Sequence, residues 1–214
     1  MKMLFKEDFN KVLVANTEIP IQPNEVNYFV GLNGSGKTVT LSCLAHFLFN
    51  QTKNTGNWMT EPPKFLQKLE FIGFQDVQKV YHYTAKSRQS MFVDMDMVLS
   101  SVLSIGTLWA SEGMHAQAEV VSTLKDKDNP NAFFIFDEID GVLDARAKHI
   151  FFDQVLKVLK GTVVVATHET FYMAKKERVF DFTSGTFKTF SSYHLDSING
   201  KLRPSDPVSA EKKA

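Results

Sequence analysis

The sequence predicts an α/β protein built on a central, mostly parallel sheet, and three observations carry that reading. A strand candidate, Glu25–Val30 (EVNYFV), runs straight into a glycine-rich loop and then a helix-spaced segment. Two short runs, AFFIF (132–136) and TVVVA (162–166), are apolar but for the leading Thr162 and show no polar alternation. A helix-spaced segment separates those two runs, as a parallel crossover requires. A strand without polar alternation is covered on both faces, which is the condition of a parallel sheet.

The 214 residues suffice for one domain with a real core, expected over 1–202, followed by a polar, flexible tail at 203–214. Lys and Arg number 24 against 24 Asp and Glu, so a strongly basic nucleic-acid coat is excluded while a local patch is not. The 19 Phe residues point to a Phe-rich core. Cys43 is alone and forms no intramolecular disulfide, which suits a reducing compartment. No stretch of about 18 apolar residues is present to span a bilayer. The N-terminus (MKMLFKEDFNKVLV) lacks the apolar middle of a signal peptide. A cytoplasmic location is expected.

Taken in order, residues 1–5 and 11–15 (KVLVA) read as short strands, with a turn at Pro20 and Pro23. Thr38–Phe49 places Val39, Leu41, Leu44, Ala45 and Leu48 at helical spacing. Residues 50–64 read as loop, broken by Gly56, Pro62 and Pro63. Alternating aromatics over 65–85 suggest antiparallel strands, and 93–124 is helix-spaced. Arg146–Lys160 reads as an amphipathic helix, and Val179–Phe190 as a hairpin turning at Ser184-Gly185.

The segment GLNGSGKT, Gly31–Thr38, fits G-x-x-x-x-G-K-[ST] completely. Gly31, Gly34 and Gly36 permit backbone angles and close approaches that a side chain would block. Successive N–H groups across Asn33, Gly34, Ser35 and Gly36 can then face phosphate oxygens, and the helix that follows adds its positive end. Lys37 supplies a mobile charge for the β- and γ-phosphates, and the Thr38 hydroxyl is placed for Mg²⁺. In the second motif, FFIFDEID, four apolar residues lead into Asp137 and Glu138 at a strand's C-terminal end, where open α/β sheets bind ligands. Asp137 is the expected metal carboxylate, and Glu138 the group that orients or deprotonates a water.

Together these motifs resemble the ATP-binding-cassette (ABC) class of P-loop ATPases, over about residues 3–190. The resemblance implies a P-loop NTPase fold with an antiparallel β subdomain and a helical segment. It makes Glu138 the catalytic carboxylate and His168, in ATHE (166–169), a switch histidine. GVLD (141–144) resembles the D-loop, with Asp144 crossing a dimer interface. ASEGMHAQ (110–117) resembles the signature motif, with Ser111 and Gly113 binding the γ-phosphate held by another subunit. Its form is divergent, with Glu112 between them, and Ser104-Ile105-Gly106 is the competing segment. Gln75 is the Q-loop candidate for Mg²⁺, with Gln78 and Gln89 as competitors. Phe9, Phe5 or Tyr28 could stack on adenine, or serve only in the core.

The expected activity is therefore Mg²⁺-dependent ATP hydrolysis in a head-to-tail homodimer, or with a related partner. The DEID, GVLD and ATHE segments look more like the soluble branch of the family, which includes the heads of SMC-type, RecF-like and break-repair ATPases. The span from Thr38 to Gly113 is too short for coiled-coil arms. A DNA-related process is expected, with a transporter ATPase subunit or a slow nucleotide-gated switch as alternatives. Lys53, Lys64, Lys68, Lys79 and Lys86 read either as a basic DNA face or as solvated surface. The Met residues 91, 95 and 97 read as adaptable packing, and the histidines show no metal-ligand spacing.

Overall fold

A computed structural model describes residues 1–52, 62–84, 126–143, 145–169 and 178–199. Its centre is a six-stranded sheet of β3 (Val26–Val30), β5 (Lys79–Thr84), β6 (Ala132–Asp137), β7 (Thr162–Ala166), β8 (Val179–Asp181) and β9 (Thr186–Lys188), in the order β5-β6-β7-β3-β8-β9. Every pairing is parallel except that of β8 with the edge strand β9. A second, antiparallel sheet has the order β2-β1-β4, from Glu18–Pro20, Lys2–Phe5 and Leu69–Ile72. The architecture is α/β with a mixed, mostly parallel central sheet.

The period-2 geometry of each central strand divides its side chains between two cores. Phe29, Phe133, Ile135 and Val164 point to one face, packed with Leu41, Leu44 and Leu48 of helix α1 (Lys37–Thr52) and with Met3, Phe5 and Ile19 of the antiparallel sheet. Tyr28, Val30, Phe134, Phe136, Val163 and Val165 point to the other face. There they meet Phe151, Phe152, Val155 and Leu156 of the β6–β7 crossover and Phe190 and Tyr193 of helix α3 (Phe190–Ile198). All six residues of β6 and all five of β7 are buried, as two-sided coverage requires. Cross-strand rings stack between β5 and β6, Tyr81 on Phe134 at 5.2 Å and Tyr83 on Phe136 at 5.3 Å.

Four local expectations are corrected. The KVLVA stretch is turn, not strand, because Asn10 Oδ1 accepts the Val12 and Leu13 amides at 2.9 and 2.7 Å and the Phe9 amide donates to the Leu13 carbonyl. Residues 65–85 do not form one antiparallel unit. β4 pairs with β1, whereas β5 joins the central sheet parallel to β6. The crossover is not a uniform α-helix: α2 (Ala145–Ile150) widens into a π turn (Phe151–Val155) before a last helical turn (Leu156–Val158). That turn places Phe151 and Phe152, successive in sequence, both in the core. Phe190 does not close the hairpin but begins α3, capped by Thr189, whose side chain accepts the Ser192 amide. The segments 93–124 and 203–214 lie outside the described residues. No helix among those described is long and apolar enough to cross a membrane.

His82 of β5 is buried, and burial pulls its imidazole from 6.5 to about 4. Below about pH 6.5 the unfolded chain therefore takes up a proton that the folded one refuses until about pH 4. Stability should fall by about 3 kcal/mol from this group as pH drops through that window. Urea unfolding between pH 4 and 7 should show that acid-side slope in the wild type and lose about that much of it in His82→Gln.

Candidate active site

The C-terminal ends of β3, β6 and β7 lie together, and the candidate residues leave the sheet from them. β3 ends at Val30, and the loop Gly31–Gly36 follows, with positive φ at Gly31 (139°), Gly34 (78°) and Gly36 (106°). These angles belong to glycine, since a Cβ would clash with the local backbone. At Gly36 space forbids one as well: a Cβ there would lie 2.7 Å from Cε1 of Phe9. The Asn10 amide donates to the Ser35 carbonyl at 3.0 Å, so the turn that replaced the second strand braces the loop.

Helix α1 begins at Lys37, whose side chain folds back beneath the loop. Its ammonium is buried and donates to the carbonyls of Gly31 at 2.9 Å and Leu32 at 3.2 Å. It also pairs with Glu138 Oε1 at 3.2 Å. The next residue, Thr38, is exposed and donates its hydroxyl to Asp137 Oδ1 at 3.2 Å. The two motifs, far apart in sequence, thus meet through both of their polar pairs.

Glu138 leaves β6 in the left-handed region (φ 54°), and its amide still donates to the Ala166 carbonyl at 2.9 Å. A non-glycine residue held there costs about 1 kcal/mol, a strain that concentrates at functional sites. The turn aims the carboxylate between Lys37 and His168 Nε2, 3.0 Å away. Burial pushes the Glu138 carboxyl up, but Lys37 and His168 together outweigh it and hold it below its ordinary value. Glu138 is therefore an ionised hydrogen-bond acceptor in this arrangement.

Asp140 and Thr167 complete the site and were not singled out from the sequence. The buried Asp140 carboxylate accepts the Thr167 hydroxyl at 2.8 Å and the His168 amide at 3.3 Å, and its Oδ1 has no partner among the described residues. Burial pushes its pKa up despite those hydrogen bonds. The third acid of DEID, three residues after Asp137, was the available signal. The next side chain is tied down as well, by Lys148 on Glu169 at 2.8 Å.

The remaining candidates divide in two. Gln75 is exposed in the turn before β5, and β5 runs parallel to β6 with Thr84 opposite Asp137. Gln75 therefore lies at the opposite edge of the sheet from the carboxylates and is not brought to them. Gln78 sits at that same far edge, its amide on the Asn131 carbonyl. Ser111, Gly113, Asp144 and Gln89 lie outside the described residues. Phe5 and Tyr28 are buried in the core, while Phe9 is half-buried with its ring 4.8 Å from that of Phe65. Lys68 and Lys79 pair with Glu7 and Asp126, so these two do not form an unopposed basic face.

The donor set fits a small hard cation and a phosphate chain. Thr38 and Asp137 offer two hard oxygens at one edge, the few protein ligands that Mg²⁺ takes when phosphates supply the rest. The buried Ser35 Oγ has no partner among the described residues, leaving a hydroxyl within the loop to donate to an anion. No cluster of three or more His, Cys, Asp or Glu side chains among the described residues could alone hold a metal.

The Gly36 geometry gives a direct test. Gly36→Ala should destabilise the protein by about 1–3 kcal/mol in urea unfolding, through the φ of 106° and the contact with Phe9. Adding Phe9→Ala should recover only the steric share, making the pair non-additive.

No protein-family model matches the chain, and no curated protein matches it.

Proposed function

We propose that the chain is a P-loop ATPase of the ABC type, which binds ATP with Mg²⁺ and hydrolyses it at an interface shared by two copies or by a copy and a related subunit. Support comes from one convergence: Lys37 and Thr38 of the glycine loop meet Glu138 and Asp137 of the acidic strand end, and His168 stands behind Glu138. A chance glycine loop would have no reason to face a carboxylate pair across the sheet edge.

In this reading the loop amides and the α1 N-terminus bind the phosphate chain, and Lys37 turns from Glu138 toward the β- and γ-phosphates. Thr38 and Asp137 would hold Mg²⁺, which supplies charge neutralisation on the phosphates. Losing its lysine partner makes Glu138 more basic, at the moment when a water must be oriented toward the γ-phosphate. His168 keeps the Glu138 carboxylate in place from its other side, and Asp140 holds the His168 backbone. Ser111, Gly113 and Asp144 of the second subunit are assigned to the outer face of the nucleotide on the resemblance alone. So is the expectation that hydrolysis serves a DNA-related process in the cytoplasm.

Two variants test the reading. Lys37→Ala should weaken ATP binding about 10- to 100-fold by calorimetry, the loss expected for one charge-assisted contact. Glu138→Gln should keep ATP binding, lose turnover, and elute as a dimer only with ATP. A Glu138→Gln protein that remains monomeric in saturating ATP would sink the shared site. Tight binding without measurable wild-type turnover would leave the switch reading instead.

A further inference from the structure

The strand beyond the switch histidine reaches the glycine loop from behind. Thr183, buried just after β8, accepts the Leu32 amide on its Oγ1 at 2.8 Å. The Leu32 amide and the Gly31 carbonyl belong to one peptide unit, and that carbonyl receives the Lys37 ammonium at 2.9 Å. A trans peptide is planar, with its N–H and C=O pointing in opposite directions. The Thr183 hydroxyl and the Lys37 ammonium therefore hold the two ends of a single rigid plate.

Other contacts give this plate little freedom. Thr183 is itself held, its amide donating to Asp181 Oδ1 at 2.8 Å. Asp181 is fully buried at the end of β8, and its other oxygen takes Ser184 Oγ at 2.8 Å and Lys188 Nζ at 2.9 Å. The Phe182 amide donates to the Val30 carbonyl at 2.8 Å, tying the residue before Thr183 to the end of β3. A Cβ on Gly31 would lie 3.1 Å from the Thr183 nitrogen, so turn and loop are in direct contact.

We infer that Thr183 is a positioning residue for nucleotide binding, setting the Gly31–Leu32 peptide plane and through it the Lys37 ammonium, with Asp181 holding Thr183 in register. The nucleotide part of this inference rests on the ATPase reading above; the peptide anchor does not.

The test compares Thr183→Val, which keeps the shape and loses the acceptor, with Thr183→Ser, which keeps the hydroxyl. Amide exchange is followed by NMR and Mg·ATP affinity by calorimetry, on the full chain. In Thr183→Val the Leu32 amide should exchange at least about tenfold faster, with Val164 in the core unchanged, and Mg·ATP should bind about tenfold more weakly. Thr183→Ser should stay within about twofold of wild type on both measures. Wild-type exchange at Leu32 in Thr183→Val would overturn the anchor. Faster exchange with equal affinity in the two variants would overturn its role in binding. A wild type that takes no Mg·ATP overturns the ATPase reading instead, and the exchange comparison then decides the anchor alone. Should Thr183→Val not fold, Thr183→Ala carries the same comparison.

Discussion

An ammonium group taken out of water must be surrounded by acceptors, and the site is organised around that constraint at Lys37. Its side chain is nearly inaccessible, and three oxygens answer the charge: two loop carbonyls and the Glu138 carboxylate. Leaving such a charge uncompensated would cost several kcal/mol. The glycine loop must therefore curl so that its carbonyls point inward at Gly31 and Leu32, and Glu138 must turn out of its strand to meet the same nitrogen. The positive φ values at Gly31, Gly34 and Glu138 are the backbone's side of this arrangement.

The parallel sheet brings the partners to one level. The register sets Asp137 opposite Ala166, and Phe29 opposite that same Ala166. The chain thus leaves β3, β6 and β7 at neighbouring points of one edge, and loop, carboxylates and histidine emerge within reach of one another. Antiparallel neighbours would have sent alternate strand ends to opposite edges. The register also explains the position of Gln75: residues before a parallel strand lie at the end of the sheet away from the carboxylates, whatever their chemistry.

Pattern was legible in the sequence where one local rule governed the outcome. AFFIF and TVVVA became buried central strands because a run with no polar face has no surface on which to lie. Thr38–Phe49 became α1, with Cys43 in its buried stripe, because its apolar spacing matched the helical period. The rule failed where a side chain competed with the backbone. KVLVA has strand propensity, but Asn10 captured two of its amides and bent it into the turn that braces Ser35. The π turn at Phe151–Val155 was equally invisible, since only the packing on Phe136 and the sheet sets where two adjacent rings must go.

What the sequence alone determined is therefore chemical and local: which residues can form a glycine loop ahead of a helix, which carboxylates end a buried strand, and which segments must hide both faces. These follow from residue type and short-range period, which need no knowledge of distant chain. What only the tertiary structure decided is pairing: that Thr38 meets Asp137, that Lys37 meets Glu138, that Asp140 holds the backbone of His168, and that Thr183 grips the Leu32 amide. Each joins residues from separate strand ends, and strand order and register, not local preference, set which ends become neighbours.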